Sequence, residues 1–281
     1  MRPIIKYKSI NLIKMRKLIL LGSICCAAML GSVASAQNIA VKTFTDSIGI
    51  TKKDFPIFAK VQVDFPISGP ENVVNSVKSC LVDFYQLKDS DNKDGKTYAH
   101  ALAQRHVNRL TEYFNDSYED DDPLPPEISL DLTIAKSYES NTLVTYTLGG
   151  YEFLGGVHGT PSVYGVTFVK SNGAVLSTYD ILDEDAWEVI QDKVAASLRK
   201  YFDVKSNNEL ADELQGEGII CDGKQFYIPM AENPPFIENG EFVMIYAENE
   251  IASSAAGLPE VRIPLKDIQN SLKPDFAKLV K

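Results

Sequence analysis

The sequence predicts an α+β protein with antiparallel sheets, helices packed on one face and two subdomains. Apolar residues alternate with polar ones along several short segments, which is typical of half-buried strands. Glycine-containing turns join neighbouring strand segments, and such hairpins favour antiparallel pairing. Helical segments with one apolar face occur in separate blocks, which favours α+β over a wound parallel sheet.

Residues 1–36 have the organisation of a signal peptide. Six basic residues precede an apolar run from Leu18 to Leu30, and Ala34-Ser35-Ala36 supplies the small residues that signal peptidase accepts. We therefore expect cleavage before Gln37 and a periplasmic or secreted protein. The apolar run is shorter than the about 20 residues needed to cross a bilayer, so no stable membrane span is expected.

Removal of this leader would leave a strongly acidic protein. The leader holds six of the 28 basic residues and none of the 38 acidic ones, so the remaining 245 residues carry a net charge of about −16. Such a field repels the phosphates of nucleic acids and favours cationic partners, so no nucleic-acid binding is expected. Maintaining solubility is an equally good reason for the acidity.

The first predicted subdomain spans residues 37–122. Val61, Val63 and Phe65 alternate with polar residues, as in a strand. Apolar residues then recur every three or four positions across residues 71–85 and 97–114, which predicts two helices. The polar residues 89–95 between them resemble a calcium loop. The twelfth position of such a loop would be an alanine rather than a bidentate carboxylate, so we expect a plain polar connection.

The second predicted subdomain spans residues 123–281 and follows an acidic run at 116–122. Its expected elements are strands at residues 128–134, 144–148, 163–170, 174–177 and 261–263, a helix at 183–202 capped by Asp183, and hairpin turns at Asn172-Gly173, Asp222-Gly223 and Asn239-Gly240.

No catalytic, cofactor-binding or metal-binding motif is recognisable. His100 and His106 would point about 120° apart on the predicted helix, unlike a zinc-binding pair, and His106 is expected at the edge of the core. We therefore expect no cofactor or metal and, in the first instance, no enzyme. The 38 acidic residues still offer many carboxylate pairs, so a hydrolase that uses two of them stays an alternative.

Two cysteines, Cys80 and Cys221, remain beyond the leader. An oxidising compartment would let them form a disulfide if the fold brought them together. Cys80 occupies an apolar helix position, where a buried thiol packs as a small hydrophobic group. This placement favours two separate thiols over a disulfide.

The most unusual local feature is the glycine-rich stretch at residues 149–159. Five glycines in eleven residues indicate a backbone that bends sharply, adopts positive φ or approaches another segment closely. One interpretation is architectural: a bulged strand crossing in which His158 bonds to a neighbouring backbone group. The other is a binding site. Its candidate contact residues are Tyr151, Phe153, Gly155, Gly156, His158 and Gly159.

Two blocks of sequence carry a family resemblance. The first block is Gly155-Gly156-Val157-His158-Gly159, followed by Tyr164 to Phe168, the Asn172-Gly173 turn and Tyr179 to Leu182, and the second is Ala247 to Ala252 with Ala255 to Pro259 and Val261 to Leu265. Both resemble the exported domain of RsiV-type anti-sigma factors and PdaC-type peptidoglycan deacetylases, and Val61 to Pro70 resembles the amino-terminal half of that domain. The resemblance extends over roughly residues 54–272.

This resemblance implies an exported module that binds or senses a ligand at the cell envelope. In RsiV-type proteins the module senses lysozyme, a cationic protein that would suit an acidic surface. About 17 residues precede the apolar run, too few for a sigma-binding segment, and the catalytic domain of the deacetylases has no counterpart. We therefore expect a non-catalytic binding module for lysozyme or a peptidoglycan fragment. The alternatives are a cell-wall hydrolase and a structural or assembly protein of the envelope.

Overall fold

The computed structural model describes residues 37–118, 126–216, 218–221 and 226–281, excluding the side chain of Cys221. It confirms the α+β class, with sheets of five and three strands, a two-stranded ribbon and helices packed against them. The predicted leader, the Asp222-Gly223 turn and most of the acidic run at 116–122 lie outside the described residues.

Within the described residues there are ten strands and seven α-helices. The strands are β1 (Ala40–Lys52), β2 (Phe55–Ser68), β3 (Ile128–Glu139), β4 (Leu143–Phe153), β5 (Thr160–Val169), β6 (Ile220–Cys221), β7 (Phe226–Tyr227), β8 (Phe236–Glu238), β9 (Glu241–Ile245) and β10 (Glu260–Pro264). The helices are α1 (Glu71–Tyr85), α2 (Gly95–Ser117), α3 (Thr178–Ile181), α4 (Ala186–Val189), α5 (Gln191–Phe202), α6 (Asn207–Glu213) and α7 (Pro274–Leu279).

The five-stranded sheet has the order β1-β2-β3-β4-β5. Strands β2 and β3 are parallel, whereas the other neighbours are antiparallel. The expectation of antiparallel sheets is therefore wrong for this one pair. Strands β2 and β3 can be parallel because α1 and α2 lie between them in the chain and return it from the end of β2 to the start of β3, as a parallel pair requires.

Helices α1 and α2 cover one face of the five-stranded sheet. Val61 and Val63 of β2 point into this core and are 0% exposed, whereas Lys60 and Gln62 lie exposed on the opposite, outer face. The structure confirms both predicted helices. Helix α2 starts at Gly95 because the Asp94 carboxylate accepts hydrogen bonds from the backbone N–H groups of residues 96 and 97 at 2.9 Å.

Strand β1 was not predicted from the sequence. It pairs with β2 along its whole length, with one irregularity in register between Ala40 and Val41. Its half-buried row contains Asp46 among apolar residues such as Phe44 and Ile48. The charged residue interrupts the apolar row and so obscures the period of two that would identify a strand.

A buried ion-paired cluster fixes the start of β1. The Lys170 ammonium, on a side chain that is 0% exposed, lies 2.9 Å from Glu139 Oε1, which also accepts the backbone N–H of Ile39 at 2.7 Å. The Lys136 ammonium bonds both Glu139 Oε2 and the Ile39 carbonyl at 2.7 Å. Burial acts to raise the pKa of Glu139, but the hydrogen bonds from Lys136, Ile39 and Lys170 outweigh it, so its pKa lies below the ordinary value.

The three-stranded sheet, of order β10-β9-β8, lies at the centre of a second hydrophobic core, against which α5 packs. Its β8–β9 turn confirms the prediction at Asn239-Gly240, where both residues have positive φ. The helix predicted at 183–202 is instead two helices, α4 and α5, separated at Ile190. Asp183 is not its side-chain cap: its backbone carbonyl accepts the N–H of Ala186.

The two cores share strands β4 and β5. The first core takes residues from 39 to 168, and the second takes Leu143 and Val169 together with later residues up to Phe276. The division into subdomains at residues 37–122 and 123–281 stays a prediction. Within the described residues, no helix combines the length and apolar character needed to cross a membrane.

Candidate functional site

The two sheets are joined by a buried network of threonine hydroxyls. Thr145 of β4 and Thr167 of β5 are at most 1% exposed, and their hydroxyl oxygens lie 2.9 Å apart. The Ile237 N–H donates to Thr167 Oγ1 at 2.9 Å, and Thr145 Oγ1 donates to the Ile237 carbonyl at 2.5 Å. This network fixes β8 against the outer face of the five-stranded sheet, on the side opposite α1 and α2.

Beside this junction lies a cleft of about 430 Å³, which we call the inter-sheet cleft. Residues of both sheets and of the loop before β10 line it: Thr133, Thr147, Gly149, Val163, Phe236, Glu238, Ile245, Leu258, Glu260 and Arg262. The outer face of the five-stranded sheet forms one wall and the three-stranded sheet the other. Its volume lies in the range of small-ligand pockets.

Arg262 organises the charged side of the inter-sheet cleft. Its Nε lies 2.7 Å from Glu260 Oε1, its Nη2 2.8 Å from Glu238 Oε2 and its Nη1 3.3 Å from Glu241 Oε2. Burial acts to lower the pKa of Arg262, but the bonds to Glu260 and Glu238 outweigh it and raise the pKa above its usual value. One cation thus meets three carboxylates, so the cluster is net negative when all are ionised.

The glycine loop, residues 154–159, connects β4 to β5 at one end of the outer face. Tyr151 lies on the same face of β4 as Gly149, two residues along, so the loop continues the floor of the inter-sheet cleft. The Tyr151 hydroxyl accepts the backbone N–H of Gly159 at 3.1 Å. A β-carbon at residue 159 would lie 2.4 Å from the Tyr151 ring, so glycine permits this contact.

The structure places the predicted contact residues in different environments. Tyr151 is 49% exposed, the His158 side chain 60% exposed, and Val157 is fully exposed. Phe153 is half-buried at the end of β4, and Gly155 adopts a positive φ of 83°. The Nδ1 atom of His158 lies 3.1 Å from the Gly159 carbonyl. The loop thus has the backbone contact of the architectural interpretation and the exposed side chains of the binding interpretation.

The two blocks that carry the family resemblance meet at this surface. His158 Nδ1 of the first block lies 4.0 Å from Glu248 Oε1 of the second. Val163, just beyond the glycine loop, packs in the same apolar cluster as Leu258. About 90 residues separate the two blocks in sequence. Their convergence defines one continuous surface that contains the glycine loop and the inter-sheet cleft.

The other histidines lie away from this surface. His100 faces Asp46 across a 2.8 Å contact, while His106 packs edge-on against Tyr85 between α1 and α2. Both ring nitrogens of His106 are buried without a hydrogen-bond partner among the described residues. Burial, followed by Arg109 and Arg105, lowers the pKa of His106 to about 3. Within the described part of the chain, no group of three or more His, Cys, Asp or Glu side chains is placed so that it could hold a metal ion.

Cys80 carries a free thiol that packs against the first core. Burial, with a smaller effect of Asp83, raises its pKa to about 12, which makes the thiol unreactive at neutral pH. The side chain of its predicted alternative partner, Cys221, lies outside the described residues.

Sequence reasoning missed the cluster formed by Glu238, Glu241, Glu260 and Arg262. The alternation of Glu260 and Arg262 with Val261 and Ile263 marks a strand with one charged face. These charges come together only through the pairing register of three strands, β8, β9 and β10. The sequence of any one strand does not reveal that register.

No model of a known protein family matches the chain, and no curated protein matches it. Several solved structures resemble its fold, among them two DUF3298 proteins. A member of the DUF3298 family from Bacteroides fragilis is 16% identical, with a TM-score of 0.59 over 86% of this chain and 99% of that one. A DUF3298 family protein from Pseudomonas aeruginosa is also 16% identical, with a TM-score of 0.57 over 86% of this chain and 98% of that one. The chain therefore has the fold of these DUF3298 proteins.

Proposed function

We propose that this protein is a non-catalytic binding module, exported to the cell envelope, that recognises a cationic protein such as lysozyme. The observation that carries the proposal is the convergence of the two resemblance blocks at one exposed surface, where His158 Nδ1 of the first block lies 4.0 Å from Glu248 Oε1 of the second. Side chains that serve only the core would be buried, whereas Tyr151 and Val157 are exposed there.

Charge supports a cationic partner. Without its predicted leader the chain has a net charge of about −16, and the inter-sheet cleft beside the loop holds more carboxylates than cations. Long-range attraction of this kind accelerates encounter with a cationic protein and weakens as salt screens it. The resemblance to RsiV-type domains, which sense lysozyme, agrees with this partner class. The leader pattern, in turn, supports export.

Titration calorimetry of the protein spanning residues 37–281 tests this function, with lysozyme in one arm and peptidoglycan fragments in the other. We expect saturable binding of lysozyme and no cleavage of the glycan. Glycan products that accumulate with the purified protein would contradict a non-catalytic role. Saturable binding of the fragments, without lysozyme binding, would replace the proposed partner with the cell-wall glycan.

A pair of exposed histidines provides a matched control. His158→Ala should weaken lysozyme binding several-fold, because it removes a side chain from the proposed surface. His100→Ala removes an equally exposed imidazole from α2, where it faces Asp46, and should leave binding unchanged. Both variants should unfold at the wild-type temperature. Equal affinities of both variants and the wild type would count against the glycine loop as a contact.

A further inference from the structure

The inter-sheet cleft has a charged side and an apolar side, and this lining restricts the class of ligand that fits it. Glu238 and Glu260 each contact Arg262 through one oxygen, and their second oxygens have no hydrogen-bond partner among the described residues. The side chains are 14% and 30% exposed, so these oxygens combine partial burial with residual negative charge. Such groups can accept further hydrogen bonds from a cation.

The remainder of the lining is apolar or carries only hydroxyl groups. Val163, Phe236, Ile245 and Leu258 form the apolar part, with Thr133 and Thr147 on the sheet floor. An apolar wall that leads to carboxylates fits a ligand with a hydrocarbon stem and a charged head. Lysine and arginine side chains have this form, since their methylene stems bury readily while the cationic group seeks polar partners.

We infer that the inter-sheet cleft binds an arginine or lysine side chain of the cationic partner, with its stem against Leu258 and its head at Glu238 and Glu260. This inference rests on the proposed function and adds the position and chemistry of one subsite. The volume of about 430 Å³ accommodates one such side chain with neighbouring backbone. The cationic head would join Arg262 in sharing the carboxylates and would offset the cluster's excess negative charge.

Other ligand classes fit this lining less well. The Arg262 guanidinium is held by three carboxylates, which leaves little of its charge for an anion. The same guanidinium lies among the carboxylates, and no metal-ion group is formed there among the described residues. A glycan could bond the carboxylates, but the aromatic ring in the lining, that of Phe236, is 2% exposed and packs against Gly165, so little of its flat surface is open to a sugar ring.

A blocked Gly-Arg-Gly peptide and its citrulline counterpart test this subsite by NMR titration of the protein spanning residues 37–281. Citrulline keeps the shape of arginine but removes the charge. We expect the arginine peptide to shift the amide signals of Thr147, Gly149 and Val163, and to bind at least about fivefold more tightly than the citrulline peptide. Shifts confined to other parts of the protein would overturn the inference.

Charge-neutralising variants provide the second arm. The double change Glu238→Gln and Glu260→Gln should weaken binding of the arginine peptide about tenfold. Glu112→Gln, on α2 at the opposite face of the sheet, should leave it unchanged. Leu258→Ala keeps all three carboxylates but shortens the apolar wall, so it should also weaken binding of the arginine peptide. This variant replaces the double variant in the test if the double variant does not fold. Wild-type affinity in the folded cleft variants would refute the subsite.

The same variants separate this inference from the proposed function. If lysozyme binds the wild type and all cleft variants equally, the subsite is wrong and the function stands. If the arginine peptide binds at the cleft but lysozyme does not bind the wild type, the subsite stands and lysozyme recognition fails. Displacement of the arginine peptide by peptidoglycan fragments, with shifts at the same amides, would assign the cleft to glycan instead.

Discussion

The ring of Phe236 in β8 lies directly over the backbone of Gly165 in β5. A β-carbon at residue 165 would approach the ring carbons to 2.1 Å, a separation that no packed side chain tolerates. Phe236 is 2% exposed and also lines the inter-sheet cleft. This contact therefore locks the three-stranded sheet onto the five-stranded sheet and fixes the width of the cleft between them.

Gly165→Ala should destabilise the protein by about 1–3 kcal/mol, because the added methyl group has to displace a packed aromatic ring. Gly149→Ala is the matched control: it lies on the same face of the neighbouring strand, and its β-carbon would meet nothing within 4 Å. Denaturant unfolding measures both changes. An unchanged free energy of unfolding for Gly165→Ala would show that the two sheets are not locked at this contact.

The glycine loop is expected to depend on the contact between Gly159 and Tyr151. Gly159→Ala should push the Tyr151 ring away and break the hydrogen bond from the Gly159 N–H, so amide exchange in residues 154–159 should accelerate. Gly156→Ala controls for the loss of a glycine, since its β-carbon would find only an ordinary contact at 3.7 Å. Equal exchange in the two variants would mean that Tyr151 does not hold the loop.

The buried ion cluster at the start of β1 predicts a large effect of one lysine. Lys170→Ala should cost about 1–3 kcal/mol of unfolding free energy, because Glu139 would lose one of its two ammonium partners while Lys136 remains. Lys278→Ala removes a lysine from an exposed pair with Asp275 and should leave stability unchanged. Denaturant unfolding of both variants measures the difference. Similar stabilities for the two variants would contradict the role of this cluster in holding the start of β1.

Because His106 is buried, we expect the free energy of unfolding to fall in mild acid. Its folded pKa of about 3 lies below the ordinary 6.5, so the unfolded chain takes up the proton first and stability falls as the pH drops below 6.5. The slope contributed by one such group is at most about 1.4 kcal/mol per pH unit. His106→Leu should flatten the dependence of unfolding free energy between pH 7 and 5, and denaturant unfolding at several pH values measures this; an unchanged slope would contradict the assignment to His106. Glu139 stays ionised throughout this window because its pKa is lowered.

Periodicity in the sequence predicted those strands and helices that have one buried and one exposed face. Val61 and Val63 alternate with exposed polar residues, and the structure confirms the strand. The break between α4 and α5 at Ile190 was not predictable, because the apolar stripe continues across it and Ile190 itself is buried. The parallel pairing of β2 with β3 was equally hidden, since strand orientation depends on where two helices return the chain.

The candidate surface was predictable in one part. The glycine-rich stretch pointed to residues 151–159, and local composition was enough to identify it. The inter-sheet cleft was not predictable, because Thr147, Glu238 and Arg262 come from three strands that are far apart in sequence. Pairing of Arg262 with Glu238 depends on a register across β8, β9 and β10 that tertiary structure decides.

Amide hydrogen exchange of the protein, measured with and without saturating lysozyme, tests most directly where the partner binds. We expect slower exchange in residues 154–159 and 247–259, the segments that meet through His158 and Glu248, and little change in α1 and α2 on the opposite face. Protection confined to α1, α2 or the free edge of β1, with both segments unchanged, would contradict binding at this surface.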